Sequence, residues 1–178
     1  MKTKLLLFIF VALSISCTGQ QYMSTTGIAK VHFIWNERPV EVHTENLNVA
    51  LNYDNAEIKV LLDLSTVHSS LYEIDTLLAH FQPRVIEFTG LLDIGFVQTQ
   101  KHPEQDFGVE GRLSVGNKRN FYGIGHLKHV YSNTLYTCVL NASFDLSLNT
   151  LGFDNLPQTF DDNVRVEILH NVMRRFNE

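Results

Sequence analysis

Residues 139–168 read VLNASFDLSLNTLGFDNLPQTFDDNVRVEI, and this stretch decides the fold of the 178-residue chain. Two parts of it alternate between apolar and polar side chains. The apolar positions are Leu140, Ala142, Phe144, Leu146 and Leu148 in the first part, and Val164, Val166 and Ile168 in the second. Because successive Cβ atoms of a strand point to opposite faces, this alternation predicts two strands, each with one buried and one solvated face. Gly152-Phe153 marks the corner between them.

The same period of two recurs along most of the chain. It predicts further strands over residues 29–35, 40–53, 58–64, 86–96, 107–115 and 121–131. Asp54-Asn55, Gly116-Asn117 and Ser132-Asn133 are predicted turns between strands. Roughly eight strands joined mostly by short turns are the number that closes an up-and-down barrel able to hold one small ligand. We therefore predict an all-β fold, an antiparallel barrel.

One segment has the period of a helix. Leu71, Ile74, Leu78 and Phe81 recur at intervals of three to four residues, which predicts one short helix at about residues 70–81. Its predicted start, SLYE, is a capping box in which the hydroxyl of Ser70 and the carboxylate of the Glu three residues later satisfy free amides. The apolar stripe of this helix is expected to seal the core.

The first residues have the pattern of an export signal. Lys2 and Lys4 precede a short apolar run over residues 5–13, which is too short to span a bilayer. Two processing routes remain open: a signal peptide of residues 1–19, or one of residues 1–16 that leaves Cys17 as an acylated lipoprotein anchor. Either route predicts an exported envelope protein with one domain over residues 20–178, attached to a membrane only if Cys17 is acylated.

Composition and motifs exclude several functions. The formal net charge of −5 and the lack of a basic, aromatic-rich run argue against nucleic-acid binding. Cys17 is either lipidated or discarded, so Cys138 is the single free cysteine, and we expect no internal disulfide and a small packed residue. His126 and His129 would point to opposite faces of a strand and are expected at the surface or in a turn, so they predict no metal site. Without a catalytic motif, we expect no enzyme activity and no cofactor.

The C-terminal half resembles a known family. Residues 111–115, GRLSV, with Gly116 and Arg119 are similar to its glycine-started strand and hairpin, and the two alternating segments described above resemble its last two strands. This is the YceI-like family of bacterial periplasmic, polyisoprenoid-binding proteins. Leu148 and Thr150 depart from it, because many relatives carry Arg and Asp there. The resemblance covers about residues 29–170 and implies a lipocalin-like barrel in the periplasm that holds a long apolar ligand.

In a closed barrel, the apolar positions would converge on the axis. The candidate ligand-binding residues that line the barrel are Phe33, Trp35, Val49, Leu62, Phe88, Phe96, Val109, Phe144, Leu146 and Val166. Two functions follow. The protein binds or carries an apolar lipid or isoprenoid-like ligand inside the barrel, or these side chains fill the barrel and the protein is an envelope scaffold or interaction module without a ligand. The sequence predicts neither the partner of such a scaffold nor the oligomeric state.

Overall fold

A computed structural model describes residues 21–94, 97, 104–114, 120–129, 136–149 and 159–176. These residues form nine strands, which are β1 (Gln21–Trp35), β2 (Arg38–Asn52), β3 (Glu57–Asp63), β4 (His68–Ser69), β5 (Val85–Leu92), β6 (Gln105–Leu113), β7 (Asn120–His129), β8 (Tyr136–Ser147) and β9 (Asn163–Arg175). A 3-10 turn (Leu64–Thr66) and one helix, α1 (Tyr72–His80), lie between β3 and β5. The predicted turns Gly116-Asn117, Ser132-Asn133 and Gly152-Phe153 lie outside the described residues.

Eight of the described strands close into a ring. Each pairs antiparallel with the next in the order β1-β2-β3-β5-β6-β7-β8-β9, and β9 pairs back onto β1, with Val31 opposite Val166. The two-residue strand β4 pairs with Val42 and His43 of β2. The predicted antiparallel barrel is therefore confirmed, and closure leaves the strands of the ring without a free edge.

Two described hairpin turns follow from local chemistry. Asn36 and Glu37 take positive φ angles of 51° and 62° between β1 and β2, the left-handed conformations that tight hairpins require. The predicted turn at Asp54-Asn55 is confirmed between β2 and β3. Pro39 lies in β2, opposite Ile34. It is the second residue of the strand, near the end, where a missing amide donor is tolerated.

Register shifts interrupt the pairing of β1 with β2 and that of β9 with β8. In β9, Val164 and Ile168 are buried, but beyond His170 the buried positions are Asn171 and Met173. His170 has a positive φ of 53°, and the register between β8 and β9 shifts at this point. A bulge inserts unpaired residues into one strand and reverses which positions face inward.

The interior contains two packed clusters. The main core fills the end of the barrel where β1 begins and includes Tyr53, Leu127, Leu140 and Met173. The second cluster joins the 3-10 turn and α1 to the opposite ends of β1 and β2, with Ile74 of the helix buried in it. The helix therefore covers one end of the barrel, as the apolar stripe predicted.

The predicted helix is confirmed, but its predicted capping box is wrong. Helix α1 starts at Tyr72, one residue later than a Ser70 cap requires, and its N-terminal cap residue, Leu71, makes no side-chain capping bond. Instead the hydroxyl of Ser69 accepts a hydrogen bond from the amide of Leu71 at 3.1 Å, and the carboxylate of Asp75 accepts one from the amide of Ser69 at 2.7 Å. Among the described residues, no helix has the length and apolar character needed to cross a bilayer.

Candidate functional site

An apolar cavity of about 190 Å³ lies inside the barrel between the two clusters. Its lining residues come from seven of the eight strands of the ring and from the residue that follows β8. They are Ala29, Val31, Leu47, Val60, Leu62, Ile86, Phe88, Leu113, Phe144, Leu146, Leu148, Val164, Val166 and Ile168. Every one of these fourteen side chains is a hydrocarbon, so the cavity offers an apolar molecule contact surface without side-chain hydrogen-bond donors or acceptors.

The two clusters bound the cavity on opposite sides. Leu47, Val60 and Ile168 also belong to the main core and form its inner boundary. Leu62 and Ile86 also pack against the second cluster, beneath the helix. The space is thus a gap in the packing along the barrel axis.

Glycines determine where two aromatic rings of the inner boundary lie. Gly90 of β5 is paired with Gly111 of β6, and a methyl group at Gly90 would lie 2.5 Å from Cζ of Phe88. A methyl group at Gly123 of β7 would meet the ring of Phe144. Both rings therefore rest on backbone that carries no side chain, and they occupy the space that larger residues would fill.

The structure brings five of the ten predicted lining residues together at this cavity, namely Leu62, Phe88, Phe144, Leu146 and Val166. Val49 and Val109 are buried in the main core and do not reach the cavity. Phe33 and Trp35 lie in the second cluster, where both rings pack against Phe160, with centroid distances of 5.5 and 6.4 Å. Phe96 and Cys17 lie outside the described residues.

Other lining residues share the pattern that the sequence analysis used. Val31 has the parity of Phe33, Ile86 that of Phe88, and Leu148 that of Leu146. Parity identifies the inward face of each strand but not the position of a residue along the barrel axis. For that reason the set of lining residues predicted from the sequence lacks Val31, Ile86 and Leu148.

A hydrogen-bonded carboxylate holds the chain at the rim of the cavity. Asp162 accepts hydrogen bonds from the backbone amide of Asn149 and the hydroxyl of Ser147, both at 2.7 Å. These bonds keep the pKa of Asp162 below its usual range. The backbone carbonyl of Asp162 also accepts the amide of Leu148 at 2.8 Å, which fixes the segment that carries this lining residue.

A larger depression of about 510 Å³ lies among β1, β2, β8 and β9, but its charged residues Glu41, Asp145 and Arg165 are engaged in ion pairs. Lys30 contacts Glu41 at 3.0 Å, and Arg165 contacts Glu167 at 3.1 Å. Exposed pairs of this kind contribute little to binding or stability. The interior cavity is therefore the better candidate site.

The two histidines of the metal hypothesis point to opposite faces, as predicted. On the outside, His126 contacts Asp106 at 2.6 Å and Glu104 at 2.7 Å, and these hydrogen bonds raise its pKa. His129 is buried, so its predicted surface position is wrong. Within the part of the chain that the structure describes, no three His, Cys, Asp or Glu side chains are placed to hold a metal ion.

No family model and no curated protein matches the sequence. Among solved structures, the barrel matches a polyisoprenoid binding domain from Saccharophagus degradans implicated in plant cell wall breakdown. The chain has the fold of that domain. The match covers 89% of this chain and 100% of that one, with a TM-score of 0.64 and 9% sequence identity. The resemblance predicted from the sequence is confirmed as a likeness of fold to a binding domain.

Proposed function

We propose that this chain is an exported envelope protein that binds or carries an apolar, lipid-like ligand of polyisoprenoid type inside its barrel, without enzymatic activity. The observation that carries the proposal is the cavity, whose fourteen lining side chains are all hydrocarbons. Such a surface favours ligands that lose water on entry, at about 0.8 kcal/mol for each buried methylene. The matched domain is a polyisoprenoid binding domain, which supports the same class of ligand.

The volume limits how much of a ligand is enclosed. An engineered cavity of about 150 Å³ accommodates one benzene molecule. By that comparison, a space of about 190 Å³ holds about eight carbons, between one and two isoprene units. We therefore propose that the end of an isoprenoid chain occupies the cavity and that the remainder lies outside it.

The same volume supports a second candidate function, the scaffold without a ligand. Pockets for drug-sized molecules usually measure about 300–1,000 Å³, and the cavity is smaller than that. In this alternative the gap is a packing defect of a barrel whose outer surface contacts partners.

Two valines of β9 allow a matched test. Val166 lines the cavity, whereas Val172 lies beyond the bulge and is 38% exposed. We would purify full-length wild type, Val166→Phe and Val172→Phe from the bacterial envelope and analyse them by native mass spectrometry and solvent extraction. We expect an apolar compound with wild type and Val172→Phe, and its loss from Val166→Phe. If no preparation contains one and none takes up added geraniol, the scaffold function replaces the carrier.

Export and anchoring have a separate test. Mass analysis of the mature N-terminus is expected to find either an acylated Cys17 or a chain that begins at Gln20. Retention of residues 1–16 would contradict export by either route.

A further inference from the structure

Two phenyl rings, those of Phe88 and Phe144, line the cavity on the side of the main core, and each lies directly against glycine backbone. The ring of Phe88 covers the paired glycines Gly90 and Gly111, since methyl groups at both positions would collide with it. Phe88 is buried in the main core and lines the cavity as well. It is therefore a boundary between packed interior and empty space.

The ring of Phe144 has the same arrangement over Gly123 of β7, the strand that pairs with β6. A methyl group at Gly123 would lie 3.2 Å from Cγ of Phe144 and 3.3 Å from Cγ1 of Val109, with another ring atom of Phe144 closer still. All these neighbours are side chains, so a residue larger than glycine at position 123 would push the ring away from the strand. Since the ring already borders the cavity, that movement would reduce the cavity's depth.

A third ring has similar surroundings but no contact with the cavity. Phe107 lies over Gly125, its partner in β7, and is buried in the main core. It does not line the cavity. Phe107 is therefore a matched control, because its truncation removes the same group from a glycine-backed position elsewhere in the barrel.

We propose that the rings of Phe88 and Phe144 set the depth of the cavity and so select the length of apolar chain that the barrel encloses. This inference rests on the proposed function. The rings close the cavity at a depth that suits less than two isoprene units. Replacing either ring by a methyl group opens the space above its glycine to the ligand, so that a longer chain gains contacts that wild type cannot offer.

The experiment measures the affinity of the full chain for geraniol, farnesol and geranylgeraniol, which contain two, three and four isoprene units. Phe88→Ala and Phe144→Ala are expected to raise the affinity for farnesol relative to geraniol about tenfold over wild type, because the additional unit becomes buried. Phe107→Ala is expected to leave that ratio unchanged. Gly123→Ala is expected to shift it in the opposite direction, toward the shorter alcohol.

If the alanine variants do not fold, Phe88→Leu and Phe144→Leu replace them, with the same expected direction and a smaller change. A ratio that stays at the wild-type value in these variants, or that changes equally in Phe107→Ala, overturns the inference and leaves the proposed function intact. Failure of wild type and every variant to bind any of the three alcohols overturns both.

Discussion

The hydroxyl of Tyr53 donates a hydrogen bond to Sγ of Cys138, 2.9 Å away, although 85 positions separate the two residues in sequence. Tyr53 follows β2, Cys138 lies near the start of β8, and the bond crosses the packed end of the barrel. Both side chains are buried in the main core. Burial raises the pKa of Cys138 to about 12, although the bond from Tyr53 acts in the opposite direction. The thiol is therefore a packing group.

Cys138 is predicted to be unreactive in the folded protein. Because the thiolate is the reactive form, a pKa of about 12 and complete burial protect the sulfur. In a chain that begins at Gln20, where Cys138 is the single cysteine, a chromogenic disulfide reagent should label no thiol in buffer. It should label one thiol per chain in denaturant. Rapid stoichiometric labelling of the folded protein would contradict the burial of this side chain.

Replacement of Tyr53 by phenylalanine is predicted to lower the free energy of unfolding by about 1 kcal/mol, the usual net value of one buried hydrogen bond. The ring itself stays, including its contact with Tyr22 at a centroid distance of 4.0 Å. Urea unfolding measures the effect. Tyr72→Phe is the control, because Tyr72 is 82% exposed on α1 and its hydroxyl should contribute little. Equal losses in the two variants would show that the bond to Cys138 has no net value.

The pKa of His126 is predicted to lie above the ordinary value of 6.5, mainly because of its hydrogen bond to Asp106 and then of that to Glu104. Titration of the ring resonances by NMR measures this pKa. Asp106→Asn should lower it by more than Glu104→Gln does. Equal pKa values of His126 in wild type and in both variants would contradict these two hydrogen bonds.

The same shift predicts how stability depends on pH. A histidine whose pKa is raised by folding adds stability that is complete below the unfolded pKa and is lost as the pH rises through the folded pKa. Wild type should therefore be more stable than His126→Gln by a larger margin at about pH 5 than at about pH 9. The change in this margin should be less than about 1 kcal/mol, because the carboxylates that contact His126 are exposed. An equal difference at both pH values would show that the ion pairs do not form in solution.

The architecture could be predicted from sequence because one physical rule governs most of it. In β8, Leu140, Phe144 and Leu146 alternate with polar residues, and the structure turns these side chains inward. The helix also followed from its period. Both patterns depend only on local geometry, which sequence spacing records directly.

The position of a residue along the barrel axis and the location of bulges could not be predicted in this way. Phe33 has the parity of Val31, but it lies farther along β1 and packs against Phe160 rather than in the cavity. The bulge at His170 makes Asn171 a fully buried position, where continued alternation would place it outside. These features depend on the stagger between strands and on local register shifts, which no single segment encodes.

Asp162 is predicted to stabilise the rim of the cavity only while it is ionised. The hydrogen bonds from the Asn149 amide and the Ser147 hydroxyl favour the carboxylate and lower the pKa of Asp162 in the folded state. A carboxyl whose pKa is lowered by folding adds stability that is present above the unfolded pKa and disappears as the pH falls through the folded pKa. The melting temperature of Asp162→Asn should therefore lie below that of wild type at neutral pH, and the two should converge in acid. Asp145→Asn, at a side chain 79% exposed, should show neither effect. An Asp162→Asn deficit that persists unchanged in acid would mean that the shape of the side chain, rather than its charge, holds Leu148 at the rim.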